Sequence, residues 1–182
     1  MISKRALLVG LGGLICVPGA KSARAALPPV SMARHEQAMR LAIEQGKKNP
    51  YYPYGAIMTD AATGAVVAEG VNNARSNPTL HGEIVCINDY VARHDNRDWD
   101  SKILYTTCEP CPMCITALIW ARIGGVVFAS SAFSPALVAS VGDPIGISAQ
   151  EVIDKASFYK PMLLGGVLAS ETDAMFTNRK RN

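Results

Sequence analysis

Two short segments with metal-binding side chains constrain this chain more than any other feature of its sequence. The first segment contains His81 and Glu83, and the second contains Cys111 and Cys114. Cys111 follows Glu83 by 28 positions. Cysteines at positions i and i+3 share one face of a helix, so both thiolates can bind one ion. A histidine nitrogen completes a typical zinc ligand set. The sequence therefore predicts a Zn²⁺ site formed by His81, Cys111 and Cys114, and a fold that brings the two segments together.

The number of protein ligands decides what such a site can do. Three ligands leave one tetrahedral position open for a water whose pKa falls to about 7, whereas four protein ligands make a closed structural site. Cys108 keeps the closed alternative open, because Cys108, Cys111 and Cys114 are evenly spaced. Cys108 nevertheless precedes Pro110 at the end of a predicted strand, which favours the open site. Cys86 is interpreted as a small buried side chain of a helix.

The first 26 residues have the pattern of an export signal. Residues 1–5 are short and basic, residues 6–20 are mostly apolar, and Ala23-Arg24-Ala25 is similar to a signal-peptidase site. We expect cleavage near residue 26, one domain at 27–182 and a periplasmic or secreted protein, with an uncleaved anchor as the less favoured alternative. Four cysteines would remain, and their spacing favours metal over disulfides.

The charge balance of the remaining chain argues against a polynucleotide partner. Removing Lys4, Arg5, Lys21 and Arg24 leaves 14 basic against 15 acidic side chains, a net charge of −1. Binding to a phosphate backbone requires a broad basic surface. The only basic run left, residues 179–181, is interpreted as a solvated and frayed terminus. We therefore expect a small-molecule substrate.

Hydrophobic periodicity and turn signals predict alternating helices and strands. Ser31 is the predicted N-cap of a helix that ends near Lys47, and Pro110 is predicted to begin the helix that carries both motif cysteines. Residues 132–156 are expected to be irregular except for a short helix at 150–155. Strands are predicted at 54–59, 66–71, 103–107, 126–129 and 162–167, and further helices at 79–93 and 170–178. This order predicts a largely parallel α/β core.

The two motif blocks resemble those of a known enzyme family. Residues 77–84 read NPTLHGEI and residues 104–114 read LYTTCEPCPMC. With the surrounding stretch from about 32 to 128, they resemble the cytidine and deoxycytidylate deaminase superfamily, on the branch of guanine and tRNA adenosine deaminases. The resemblance implies a three-layer α/β/α fold with a five-stranded mixed sheet, bound zinc and a homodimer.

The resemblance also implies a reaction. An H-x-E segment followed by P-C-x-x-C is the signature of zinc-dependent base deaminases, in which the glutamate is not a ligand. Glu83 is then the general acid and base that moves protons from water to the ring and to the departing amine, so that a carbonyl replaces the amine and ammonia leaves. The alternative role for Glu83 is support of the metal ligands.

Substrate signals within that branch point in different directions. Residues 53–56 and 120–122 are similar to guanine deaminases, residues 79–83 to cytosine deaminases, and residues 123–128 to tRNA enzymes. We expect a free nucleobase, guanine first. The alternatives are a cytosine or nucleoside deaminase, a tRNA adenosine deaminase, and an inactive zinc-stabilised binding module.

Four residues are candidate substrate contacts. The resemblance implies that Asn72 holds the base and that Asp143 approaches its ring, although an asparagine after a strand is also a common turn residue. The aromatic rings of Tyr54 and Trp120 can stack on a flat base, and either can equally be core.

Overall fold

The computed structural model describes residues 27–181, so the predicted export signal at residues 1–26 lies outside the described residues. The helices are α1 Met32–Lys47, α2 Gly82–His94, α3 Pro112–Ala121, α4 Pro135–Val141, α5 Ala149–Lys155 and α6 Ala169–Thr177. The strands are β1 Gly55–Asp60, β2 Val66–Val71, β3 Lys102–Cys108, β4 Gly125–Ser130 and β5 Met162–Leu164. In this part of the chain, no helix is both long enough and apolar enough to span a bilayer.

The five strands form one mixed sheet in the order β2-β1-β3-β4-β5. Strand β1 is antiparallel to β2 and to β3, while β3 pairs with β4 and β4 with β5 in parallel. Strands β2, β3, β4 and β5 therefore all run in one direction, and only β1 runs against them. The carboxyl ends of β2 and β3 lie at the same edge of the sheet, which is where open α/β sheets bind ligands. The predicted mixed sheet is confirmed.

Helices cover both faces of the sheet because side chains alternate along each strand. On β3, Leu104 faces the layer of α2, α3 and α5, where it shares a buried cluster with Tyr90 and Ile115. Tyr105 faces the opposite layer, where Met39 of α1 is buried in the second cluster. Helix α6 contacts β4 on that second side. The result is the predicted three-layer α/β/α architecture.

Several element boundaries differ from the sequence prediction, and one helix was not predicted. Helix α3 begins at Pro112 with Cys111 as its N-cap, because Pro112 has the fixed φ and missing N–H that suit the first helical position. Strand β5 ends at Leu164, before Gly166 with its φ of 86°. Helix α4 was not predicted, although Ser134 caps it through the Leu137 N–H and Pro135 opens it.

The prediction that residues 179–181 fray is wrong for Arg179. Its guanidinium donates to the Tyr51 carbonyl at 2.9 Å and to the Ser140 carbonyl at 2.6 Å. The Lys180 N–H donates to the Pro50 carbonyl at 2.8 Å. A guanidinium presents several donors in a planar fork, so one side chain can join two segments. The end of the described chain is therefore tied to the loop before β1 and to α4.

Candidate metal centre and cavity

The three predicted zinc ligands meet where α2 and α3 begin. His81 is the N-cap of α2, Cys111 is the N-cap of α3, and Cys114 lies in the first turn of α3. Neither N-cap side chain bonds to its own helix, so both are free to turn toward a common point. The unpaired N–H groups and positive dipole of a helix start stabilise thiolates.

The distances within this cluster fit a zinc ion. The Cys111 and Cys114 sulfurs are 3.6 Å apart, and His81 Nδ1 lies 3.6 Å from the first and 3.7 Å from the second. Tetrahedral zinc with bonds of about 2.3 Å to sulfur and about 2.0 Å to nitrogen separates its ligand atoms by about 3.5 to 3.8 Å. The donor atoms are therefore arranged as around one ion, with His81 using Nδ1.

Cys108 lies outside the cluster. Within residues 27–181, the candidate metal group consists of His81, Cys111 and Cys114 alone. The Cys108 thiol donates to the backbone carbonyl of Glu109 at 3.5 Å. Its position at the end of β3 separates it from the helical turn that groups the other two sulfurs. The arrangement supports a site with three protein ligands and not the closed alternative.

Protons are shared unequally within the cluster. The hydrogen bond between the two thiol groups lowers the pKa of Cys111 to about 4 and raises the pKa of Cys114. The same Cys111 sulfur raises the pKa of His81 through a hydrogen bond. Zinc binds thiolates and a neutral imidazole, so metal binding to this cluster must release protons.

Glu83 lies beside the cluster without belonging to it. It is in the first turn of α2, only 5% exposed, and lines the same cavity as His81 and Cys111. Burial raises the pKa of Glu83 to about 7. The side chains of two residues that are two positions apart point in different directions on a regular helix. His81, however, is the N-cap and has an extended backbone, so its side chain and that of Glu83 reach one site. The structure thus places His81 and Glu83 at one cavity.

Glycines bring backbone segments around the cluster into direct contact. A Cβ atom at Gly82 would lie 2.7 Å from the Tyr54 carbonyl oxygen. One at Gly70 would lie 2.2 Å from the Gly82 carbonyl oxygen and 2.5 Å from the Cys86 nitrogen. Strand β2, the start of α2 and the residue before β1 therefore pack backbone against backbone.

A cavity of about 460 Å³ opens over the metal cluster, a size suited to a small organic ligand. Tyr54, Asn72 and Asp143, three of the four predicted substrate contacts, line it together with Glu83. Trp120 is not one of the described residues that line this cavity. It lies nine residues after Cys111, about 13 Å along the helix axis, is 70% exposed, and its ring packs 4.7 Å from that of Phe158. The prediction that Trp120 stacks on a base in this cavity is not supported.

Asn72 and Tyr54 are fixed to each other by the backbone. The Asn72 N–H donates to the Tyr54 carbonyl at 2.9 Å, and the Asn72 side-chain oxygen accepts from the Ala74 N–H at 3.1 Å. This second bond is the turn interaction that its alternative interpretation predicts. The Asn72 side chain nevertheless faces the cavity as well. The Tyr54 ring packs 4.9 Å from that of Phe176, and burial raises the pKa of its hydroxyl.

Sequence reasoning missed a buried carboxylate between the metal loop and the cavity wall. Glu109 accepts from the Ser131 hydroxyl at 2.9 Å and the Ala132 N–H at 3.2 Å through one oxygen. Its other oxygen accepts from the Ala149 N–H at 2.9 Å. A charged residue inside the PC-x-x-C block was visible, but its partners come from 22 to 40 positions away and leave no local signal.

Further cavity-lining residues that the sequence did not single out include Tyr52, Ala74, Leu137, Val141, Ile145 and Ile147.

Comparison with known proteins places this geometry in context. A family model described as the cytidine and deoxycytidylate deaminase zinc-binding region matches residues 32–130. The guanine deaminase of Bacillus subtilis is 38% identical over 97 residues, which are 52% of this chain and 61% of that protein. A tRNA-specific adenosine deaminase of Haemophilus influenzae is 33% identical over 110 residues, 58% of this chain and 63% of that protein. The chain thus matches about three fifths of the length of these relatives.

A solved structure supports the likeness of fold over nearly the whole chain. The guanine deaminase from Nitrosomonas europaea superimposes with a TM-score of 0.65, covering 98% of this chain and 99% of the other, at 21% sequence identity.

Proposed function

We propose that this chain, which belongs to the cytidine and deoxycytidylate deaminase family, is a zinc-dependent hydrolase that removes the amine of a free nucleobase, with guanine as its first substrate. One observation carries the proposal. The three-donor cluster and the buried Glu83 carboxylate open onto the same cavity. A metal site that faces a ligand-sized cavity beside a proton carrier is suited to metal-assisted hydrolysis.

His81, Cys111 and Cys114 would hold the zinc ion. When bound, zinc lowers the pKa of a coordinated water to about 7. Glu83 would take a proton from water and pass it to the ring nitrogen as the water oxygen adds to the amine-bearing carbon. It would then pass the remaining hydroxyl proton to the amine, which leaves as ammonia while the carbonyl forms. Its burial keeps bulk water from competing for that proton transfer.

The cavity lining favours a free purine base. The Asn72 carboxamide offers donor and acceptor groups to an edge of the base, and the Tyr54 ring offers an apolar surface. The Asp143 carboxylate, an acceptor, would bind the imidazole N–H of a free purine. A nucleoside has no proton on its glycosidic nitrogen, so Asp143 would favour the base over the nucleoside.

One sequence signal for a cytosine substrate has a packing explanation. Gly82 is the position at which residues 79–83 resemble the cytosine enzymes. A side chain there would collide with the Tyr54 carbonyl, so glycine is required by backbone contact whatever the substrate. This removes one argument for cytosine and leaves the guanine deaminase likeness of residues 53–56 and of the Bacillus subtilis relative.

Localisation and assembly belong to the proposal as well. We infer export to the periplasm or medium from the pattern of residues 1–26 and expect loss of export when they are removed.

We also infer a homodimer, because Trp120 and Phe158 form an exposed aromatic pair that is unusual on a monomer surface. Light scattering on the purified protein measures the assembly.

The decisive test is ammonia release by zinc-loaded protein from guanine, adenine, cytosine, their nucleosides and a tRNA anticodon stem-loop. We expect release from guanine well above every other compound, and none from metal-free protein. If cytosine or a nucleoside is the preferred compound, that compound replaces guanine as the proposed substrate. Turnover only of an adenosine in a tRNA anticodon stem-loop favours the tRNA reaction, and zinc binding without turnover of any compound leaves a binding module.

A further inference from the structure

We propose that Arg179 is a positioning residue that fixes the distal wall of the cavity, defined as residues 142–147, relative to the tyrosines on the opposite side. The inference deepens the proposed function and rests on it for the identity of the substrate. Gly142, Asp143, Ile145 and Ile147 of the distal wall line the cavity, and Tyr52 and Tyr54 line it from the loop before β1.

On the distal side, Arg179 binds the last turn of α4. Its Nη2 donates to the Ser140 carbonyl at 2.6 Å, and its Nε donates to the Ser140 hydroxyl at 3.1 Å. A cation is stabilised at a helix C-terminus, where carbonyl groups lack intrahelical partners. The distal wall begins two residues later, so this contact fixes where the wall starts.

On the opposite side, the same guanidinium binds the loop that carries the tyrosines. Its Nη1 donates to the Tyr51 carbonyl at 2.9 Å, and its central carbon lies 5.7 Å from the centroid of the Tyr52 ring. Arg179 also acts on Tyr54, where its positive charge opposes the rise in the pKa of the hydroxyl. One side chain therefore sets the separation of the two sides of the cavity.

The far end of the distal wall is held separately, by Glu109. Its carboxylate accepts from the Ala149 N–H at the start of α5. Between these two attachments the wall packs against little else, because every residue of 142–147 except Pro144 is exposed, and a Cβ atom at Gly142 or Gly146 would meet no described atom within 4 Å. The shape of the wall therefore depends on its ends.

Loss of Arg179 should therefore disturb substrate binding and not the metal. The zinc cluster is formed by α2 and α3, and neither helix contacts Arg179 through the bonds described above. A displaced wall would weaken binding of the substrate and of the transition state to the same extent, which raises KM and leaves kcat unchanged.

The test compares Arg179→Ala and Arg179→Lys with Arg181→Ala, which removes the same charge from an exposed side chain two positions away. Three quantities are measured on the full chain: KM and kcat for guanine, zinc per chain, and hydrogen–deuterium exchange of residues 50–54 and 140–147. We expect Arg179→Ala to raise KM roughly tenfold with kcat within about twofold of wild type. Zinc content should be unchanged, and exchange should become faster in both segments.

The conservative variant separates geometry from charge. A lysine keeps the charge but cannot bind Ser140 and Tyr51 together, so Arg179→Lys should give a KM between those of wild type and Arg179→Ala. Arg181→Ala should match wild type. The inference is overturned if Arg181→Ala has the same effect as Arg179→Ala, or if exchange at 50–54 and 140–147 is unchanged in both Arg179 variants. It is also overturned if those variants lose zinc and kcat together, which indicates general destabilisation.

The exchange measurement does not depend on the substrate. If wild-type protein does not act on guanine, the substrate proposal fails, while exchange in the two segments still decides whether Arg179 positions the wall.

Discussion

Residues 32–130 and residues 131–181 build the cavity by different means. The first part contributes the metal cluster and Glu83 through short motifs at helix starts, and the family model matches this part. The second part contributes the distal wall through side-chain contacts between residues far apart in sequence, such as Arg179 with Ser140. The difference teaches that reactivity here is locally encoded, whereas the shape of the cavity is not.

The largest effect is expected from the removal of one metal ligand in the first part of the chain. Cys111→Ser should lose both zinc and activity completely, because a hydroxyl is a poor replacement for a thiolate ligand. Cys108→Ala is the matched control, since Cys108 lies three residues earlier and outside the cluster. We expect metal analysis to give one zinc per chain for Cys108→Ala. Loss of zinc in that variant would restore the closed four-ligand site.

A second substitution separates chemistry from metal binding. Glu83→Gln removes the proton carrier but keeps the size of the side chain, so kcat should fall by about 10²- to 10⁴-fold with zinc retained. The loss should be equal for every base that the wild type accepts. Glu44→Gln, on the exposed side of α1, is the control. A near-normal rate in Glu83→Gln would exclude the general acid and base role.

A substitution in the distal wall sharpens the comparison from the other side. Asp143→Asn keeps shape but removes the charged acceptor, so KM for guanine should rise roughly tenfold, as expected for one charge-assisted hydrogen bond. The ratio of guanine to guanosine turnover should fall, which no change at Glu83 should produce. Asp154→Asn on α5 is the control, because its partner is Gln150. An unchanged ratio would remove Asp143 from substrate selection.

The smallest expected effect concerns stability in the first part of the chain. Hydrogen bonding from the Thr63 backbone and from Lys102, 2.9 Å away, lowers the pKa of Asp60 to about 2. The folded state then gains stability at pH values above about 4, and this gain is lost as the pH falls toward 2. Urea unfolding should find Asp60→Asn less stable than wild type by about 1 kcal/mol at pH 7, since partial exposure screens the interaction.

The pH series supplies its own control. The difference between the two proteins should shrink below about pH 4 and be smallest at pH 2, because Asp60 becomes protonated there and then carries the same charge as asparagine. A difference that is constant from pH 7 to pH 2 would mean that packing and not ionisation is responsible.

Most of the fold was predictable because its elements carry local signals. Ser31 caps α1 as predicted, and the fixed φ of a proline marks the start of α3, displaced by two residues from Pro110 to Pro112. The continuous apolar and β-branched run at 103–107 also predicted the position of β3. Helix α4 had equivalent signals in Ser134 and Pro135, but the neighbouring glycines and prolines obscured them.

The candidate site divides in the same way. The roles of His81, Cys111 and Cys114 follow from spacing, and the structure brings them together. The functions of Arg179 and Glu109 depend on partners that only the tertiary fold supplies, so no periodicity or motif could reveal them. Trp120 was predicted to contact the base because its type suits stacking, but packing decides its side of α3, and the structure places it away from the cavity.

The contact between Gly70 and the Gly82 carbonyl has a consequence for how a protein with this fold can diversify. Because the two backbones are in direct contact there, substitution of other side chains on β2 or α2 leaves the distance between Asn72 and the His81–Glu83 pair unchanged. A new specificity is therefore more accessible through insertions and replacements in the segment between α4 and α5, where added atoms meet open space.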